Sequence, residues 1–163
     1  MDEHQLLATS QFASGLISLD LTCNQVGYMG CSILSQSQSL QNLTSLNLNY
    51  NMIGIDGCQS IVNGFFTNLT ELYLNGNKIG PKGCMLIANS SVMSNIKTLS
   101  LNRNEIENSG CVFLASSKYL SNLTSLHLCS NNITDEGYVA INKSENLPNL
   151  IFFNTRFNKV TQY

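Results

Sequence analysis

One interval governs this chain. Leu16, Leu43, Leu69, Ile96, Leu123 and Leu150 follow one another at spacings of 27, 26, 27, 27 and 27 residues. The same string returns at each, clearest from Leu69 to Gly83, where it reads L-x-x-L-x-L-x-x-N-x-I-G-x-x-G. A unit this short cannot bury its own apolar face. Copies must stack, and a period of about 20–50 residues marks a solenoid.

Each repeat divides into two halves. Leu46 and Leu48, like Leu72 and Leu74, are two apart and point to one side of a short strand. Successive strands then line up as one parallel sheet. A single asparagine follows in every repeat: Asn24, Asn51, Asn77, Asn104, Asn131 and Asn158. Its amide has donors and an acceptor for the backbone of a tight turn, so the stacked asparagines are expected to form a polar ladder inside the solenoid. Val26, Ile53, Ile79, Ile106 and Ile133 then re-enter the core.

Gly30, Gly57, Gly83, Gly110 and Gly137 are expected at the junction between loop and helix. Apolar residues at helical spacing follow, such as Ile61-Val62 and Leu86-Ile87. Leu40, Phe66, Met93, Leu120 and Leu147 close the repeats. Helices are wider than strands, so the stack must curve, with the sheet concave and the helices convex.

This gives one α/β domain over residues 1–163. Residues 1–15 read as a helical half-repeat that caps the stack, with Leu7-Ala8 matching Ile87-Ala88. Five repeats occupy 16–42, 43–68, 69–95, 96–122 and 123–149, and 150–163 is a partial repeat. Thr155 stands where a core leucine belongs, and Phe153 points into a core that no later helix completes. The C-terminal edge is therefore expected to be sticky, with self-association against a two-fold-related copy as one outcome.

The pattern resembles the ribonuclease-inhibitor-like leucine-rich repeat family, with its L-x-x-L-x-L-x-x-N-x-I-x-x-x-G-x-x-x-L-A signature. The resemblance implies a right-handed horseshoe arc and, commonly, a protein partner on the concave face. Relatives include an inhibitor of ribonuclease, a GTPase activator, innate immune sensors and bacterial effectors that work inside host cells. A catalytic arginine of the GTPase activator has no clear match in this chain.

Charged residues make up only 11% of the chain and the net charge is −2, so a nucleic-acid or anionic-membrane partner is not suggested. No run of about 18 apolar residues appears, and Met1-Asp2-Glu3-His4-Gln5 does not open a secretory signal. Cys31, Cys58, Cys84 and Cys111 share one column, at helix-packing distance from one another, too far to bridge. Cys23 and Cys129 are placed on strands four repeats apart. Six free thiols imply a reducing compartment, hence the cytoplasm, or the host cytosol for a secreted effector. Six Asn-x-Ser/Thr triplets (Asn42, Asn68, Asn89, Asn122, Asn132, Asn142) are read as chance products of a chain rich in those residues.

Strand alternation and the rim of the turn give the candidate contacts: Asp20, Tyr50, Glu71, Tyr73, Asn75, Arg103, His127, Phe152 and Arg156, with Phe157 beside them. Tyrosine and arginine are frequent interface anchors. His127 and Cys129 share a face, but two ligands do not make a zinc site. No metal or cofactor is expected, and no phosphate loop, paired carboxylates or nucleophile elbow is present. The expectation is a non-enzymatic scaffold for an unknown protein partner. A bacterial effector or a regulator of a GTPase-type enzyme is the alternative.

Overall fold

The computed structural model describes residues 10–161. Six strands form one parallel sheet in chain order: β1 (Ser18–Asp20), β2 (Ser45–Asn47), β3 (Glu71–Tyr73), β4 (Thr98–Ser100), β5 (Ser125–His127) and β6 (Phe152–Asn154). Between them lie α1 (Gly27–Ser35), α2 (Gly54–Val62), α3 (Gly80–Ala88), α4 (Glu107–Ala115) and α5 (Asp135–Asn142). Strands stack about 4.8 Å apart and helices about 8–10 Å apart. One face of each strand and one face of each helix share the core, so the sheet takes the inner side of the curve.

Register follows the repeat. Leu19, Leu46, Leu72, Leu99, Leu126 and Phe153 are direct neighbours across the sheet. The four inner leucines of that row are fully buried, as are Leu43, Leu69, Ile96 and Leu123 of the starting row. Thr155 does occupy the position of a core leucine and is buried there.

Polar ladders join the repeats. In the first, Asn77 Oδ1 accepts the Asn51 N–H at 2.9 Å and the Ile53 N–H at 3.3 Å. Its Nδ2 donates to the carbonyls of Leu48 and Asn75. Asn51, Asn104 and Asn131 repeat this four-bond pattern, which uses both donors and both lone pairs of the amide. The turn is shaped for it. The residues on either side of each inner ladder asparagine have left-handed backbone, as at Tyr50 (φ 55°) and Met52 (φ 54°). The two N–H groups of one turn can then converge on one oxygen of the next repeat.

A second asparagine ladder lies just before the strands. Asn42, Asn68, Asn95, Asn122 and Asn149 each donate Nδ2 to a carbonyl one repeat earlier, at 2.8–3.0 Å. This corrects the reading of the Asn-x-Thr triplets at Asn42, Asn68 and Asn122. They are repeat positions, and their threonines Thr44, Thr70 and Thr124 also bond back to the preceding repeat. A third ladder runs through buried hydroxyls beyond the helix ends: Ser90 to Val62 O and Ser117 to Ala88 O, each at 2.6 Å.

The repeat glycines require a correction. Gly57, Gly83 and Gly110 lie inside the first turn of their helices, not at the loop junction. A Cβ at Gly57 would stand 3.3 Å from Cys31 Sγ and 2.8 Å from Ile53 Cβ. At Gly110 it would stand 3.2 Å from Cys84 Sγ. Gly57, Gly83 and Gly110 thus face both the isoleucine that enters their own helix and the cysteine of the preceding helix, at 3.6 Å for Gly83, and form a seam between helices, whereas Gly137 faces Asn108 instead. The junction itself is the left-handed position of Gly27, Gly54 and Gly80, taken by Glu107 (φ 59°) in α4.

All six cysteines are free. Cys23 is not on a strand: it is exposed in the rim turn (φ 60°), and Cys129 follows β5. Of the expected N-terminal cap, residues 1–9, including Leu7-Ala8, lie outside the described part. The described remainder is a 3-10 turn, Gln11–Gly15, with Ala13 buried. At the other end Phe153 is half-buried and stacks on Tyr138 of α5 with 5.5 Å between ring centres. The tail returns to α5 as well: the Thr161 N–H donates to Asp135 Oδ1 at 2.6 Å, and Lys159 bridges to Thr134.

Candidate protein-binding face

The strands present three rows on the concave side, and the rows differ in how much of each side chain is still available. At the N-terminal end, Asp20 Oδ1 accepts the backbone N–H and the hydroxyl of Thr22, at 2.8 and 2.7 Å. Its Oδ2 accepts Asn47 Nδ2 at 3.1 Å. The Thr22 bonds hold the Asp20 carboxyl below the usual carboxylate range, the hydroxyl contributing most. Asp20 is exposed and charged, but braced by its neighbours.

Asn75 is a scaffold residue in its carbonyl half. Its Oδ1 accepts the Asn102 N–H at 2.7 Å and the Ser100 hydroxyl at 2.8 Å. Asn49 Oδ1 takes the Asn75 N–H, and Asn102 Oδ1 takes the Cys129 N–H, both at 2.7 Å. The concave face thus carries an asparagine ladder of its own. The sequence hinted at it, since Asn49, Asn75 and Asn102 share a column, but strand alternation alone read Asn75 as a contact residue.

The centre of the face is the pair Glu71 and Tyr73 on β3. Tyr73 Oη donates to Glu71 Oε2 at 3.3 Å. Partial burial raises the phenol's pKa, and the neighbouring carboxylate adds to that. Towards the C-terminal end, His127 lies 3.1 Å from Ser125 Oγ through Nε2, and its ring meets Phe152 at 5.2 Å between centres. Burial lowers the pKa of His127 below its ordinary value, which favours the neutral ring at pH 7. Phe152 and Arg156 are exposed. With Tyr138, Phe153, Asn154 and Thr155 they line a shallow pocket of about 430 Å³.

The rim column runs Cys23, Tyr50, Gly76, Arg103, Ser130 and Phe157, all with left-handed backbone. Tyr50 is half exposed and its ring lies over Gly76, where any Cβ would strike it. Gly76 therefore answers both the turn's φ of 66° and the tyrosine's need for space. Arg103 and Phe157 stand free on the same rim. The structure brings Glu71 with Tyr73, and His127 with Phe152. It does not bring Asp20 near Arg156, since they lie on β1 and just past β6, at opposite ends of the sheet. Among the described residues, no group of three or more His, Cys, Asp or Glu side chains could hold a metal ion. No helix there is long and apolar enough to cross a membrane.

The model of the leucine-rich repeat family matches residues 16–35, 39–62, 67–88, 92–115 and 119–141. The chain belongs to the leucine-rich repeat family. The five matched segments each span a strand and the helix after it, so the family match and the solenoid coincide segment by segment. No curated protein matches the chain. Leucine-rich repeats generally mediate protein–protein interaction.

Proposed function

We propose that this leucine-rich repeat protein is a non-enzymatic scaffold that binds a protein partner on its concave face. The contact extends from Glu71 and Tyr73 through His127 to Phe152 and Arg156, with Tyr50 and Arg103 on the rim. The observation that carries this reading is the division of labour among the strand residues. Asparagine carbonyls and the serine beside them hold the frame, which leaves the tyrosine, arginine and phenylalanine side chains as the large groups still offered to solvent. Aromatic and arginine side chains on a rigid, pre-ordered frame are what interface hot spots require. The nine-residue helix in α1 to α4 supports placing the repeats in the ribonuclease-inhibitor-like class, whose outer layer is helical.

The test is quantitative capture from a lysate with three proteins: wild type, Glu71→Ala/Tyr73→Ala, and the outer-helix control Met85→Ser. Partners that are lost with the β3 pair and kept with the helix control support the concave site. Partners lost only with Met85→Ser would move the site to the convex face. Partners unaffected by either change would overturn the reading.

A further inference from the structure

Glu71 has no task in holding the fold. Asp20 accepts the Thr22 N–H, and Asn47 Oδ1 accepts the Asn49 N–H. Asn49, Asn75 and Asn102 each accept a backbone N–H of the next repeat. Those side chains stand where they do because the backbone uses them. The Glu71 carboxylate meets no backbone group. Among the described residues its one hydrogen-bond partner is the Tyr73 hydroxyl, at 3.3 Å. That is longer than the roughly 2.5–3.0 Å of a good O–H···O bond, so the carboxylate is left largely unspent.

Glu71 is also alone in charge. Across β2 to β5 and the row that follows them on the concave face, it is the one permanently charged side chain. Among the described residues neither Lys97 nor Arg103 forms an ion pair with it. It is only partly exposed, so its charge has lost some hydration without gaining a counter-charge. Its neighbours across the sheet are short: Ser45 on β2 and Thr98 on β4. Both hydroxyls lack a hydrogen-bond partner among the described residues. A long, slender side chain therefore has room beside the carboxylate. The Tyr73 ring lies alongside, since its hydroxyl reaches Glu71, and offers an aromatic neighbour to a cation.

The geometry points to a basic side chain of the partner as the group that completes this site. This rests on the concave-face reading above and names the chemistry of its occupant. A lysine or arginine seats against Glu71, donates to the carboxylate and to the hydroxyl of Ser45 or Thr98, and lies beside Tyr73. An ammonium has three donors and no acceptor, which suits a carboxylate flanked by hydroxyl oxygens. An acidic segment is repelled here, and an apolar one would cover the carboxylate without pairing it. The site thus selects on charge at one point of the partner, while the neutral frame around it does not.

The probe is a library of random peptides displayed on phage, selected separately on wild type, Glu71→Gln and Glu71→Lys. Glutamine removes the charge and keeps an oxygen for the Tyr73 hydroxyl, so its fold should hold, which a thermal melt checks. That arm decides the matter even if Glu71→Lys unfolds. Peptides selected on wild type should carry lysine or arginine at one shared position. Resynthesised, they should bind Glu71→Gln about tenfold more weakly by fluorescence polarisation, which is about 1.4 kcal/mol. The difference should shrink in high salt. Glu71→Lys should select aspartate or glutamate at the same position. Wild-type peptides without a shared basic residue, or with equal affinity for Glu71→Gln, would overturn the inference. If such peptides still fail on Tyr50→Ala or His127→Ala, the concave-face reading stands without it. Peptides that ignore Glu71→Ala/Tyr73→Ala, Tyr50→Ala and His127→Ala alike would overturn both, as would a library that yields no binder.

Discussion

Asn77→Ala should be among the most damaging single substitutions in the chain, although the residue is polar and sits in a turn. Asn77 is fully buried, and its amide serves four backbone groups in two repeats. Alanine leaves the N–H groups of Asn51 and Ile53 without an acceptor, in residues that are themselves 0% and 1% exposed. A buried donor left unpaired costs about 1–3 kcal/mol, so the two together cost about 2–6 kcal/mol before the lost donor bonds to Leu48 and Asn75 are counted. Total stabilities are about 5–15 kcal/mol, so the variant should unfold at much lower denaturant. The internal control is Asn24→Ala, at the exposed start of the same ladder. Asn24 donates only to Thr22 O, and its removal should cost about 1 kcal/mol or less. Urea titrations followed by circular dichroism, with slopes compared to confirm the same cooperative unit, give both values. A midpoint shift for Asn77→Ala no larger than that for Asn24→Ala would refute the claim that the ladder bonds are buried and indispensable.

Gly83→Ala should destabilise by about 1–3 kcal/mol, against the sign of helix propensity, because its methyl group falls on the side chain of Ile79; a thermal melt unchanged or raised would contradict the close packing of Ile79 on that glycine. The buried thiols should make the protein sensitive to alkali. Burial raises Cys31, Cys58 and Cys111 from 9.0 to about 12, and Cys84 well above 9.0. Their folded pKa values exceed the unfolded ones, so the contribution is complete below pH 9.0 and is lost as pH rises towards 12, by about 1.4 kcal/mol per thiol per pH unit at most. Stability measured by urea at pH 8 and 10 should fall steeply, and substituting Cys111 by Ala should reduce the slope. A maleimide at pH 7.5 should label Cys23 and Cys129 in the folded protein and all six cysteines after denaturation; a native count above two would mean that the seam is open.

The repeat made the fold legible because each repeat restates the others. Leu72, Asn77 and Ile79 could be assigned from sequence since five other repeats supply the same residue types in the same order. The glycines were misplaced because the signal for Gly57 and the signal for Gly54 are alike in one dimension. Only the helix, which starts at Gly54, shows that one answers a left-handed φ and the other the close approach of Ile53 and the Cys31 thiol. The Asn-x-Thr triplets were hidden by composition: Asn42, Asn68 and Asn122 look like background until their amides are seen to reach one repeat back. The concave site was legible in position and less so in role. Alternation identified Asn75 as facing outward, yet nothing in one strand reveals that its oxygen is taken by the backbone of the next.

The concave asparagine ladder also turns the sheet into a ruler. Side-chain amides of Asn49, Asn75 and Asn102 tie the repeats of β2 through β5 to one another from above, while the ladder through Asn77 ties them from the turn. The graduations are then fixed at one strand spacing, about 4.8 Å, and cannot stretch to suit a guest. An extended chain advances about 3.3 Å per residue, so one laid across the strands coincides with the graduations at every third residue and every second repeat. Such a vernier would reward a guest whose contact residues recur in threes, and would reject the same residues closed up or spread by one.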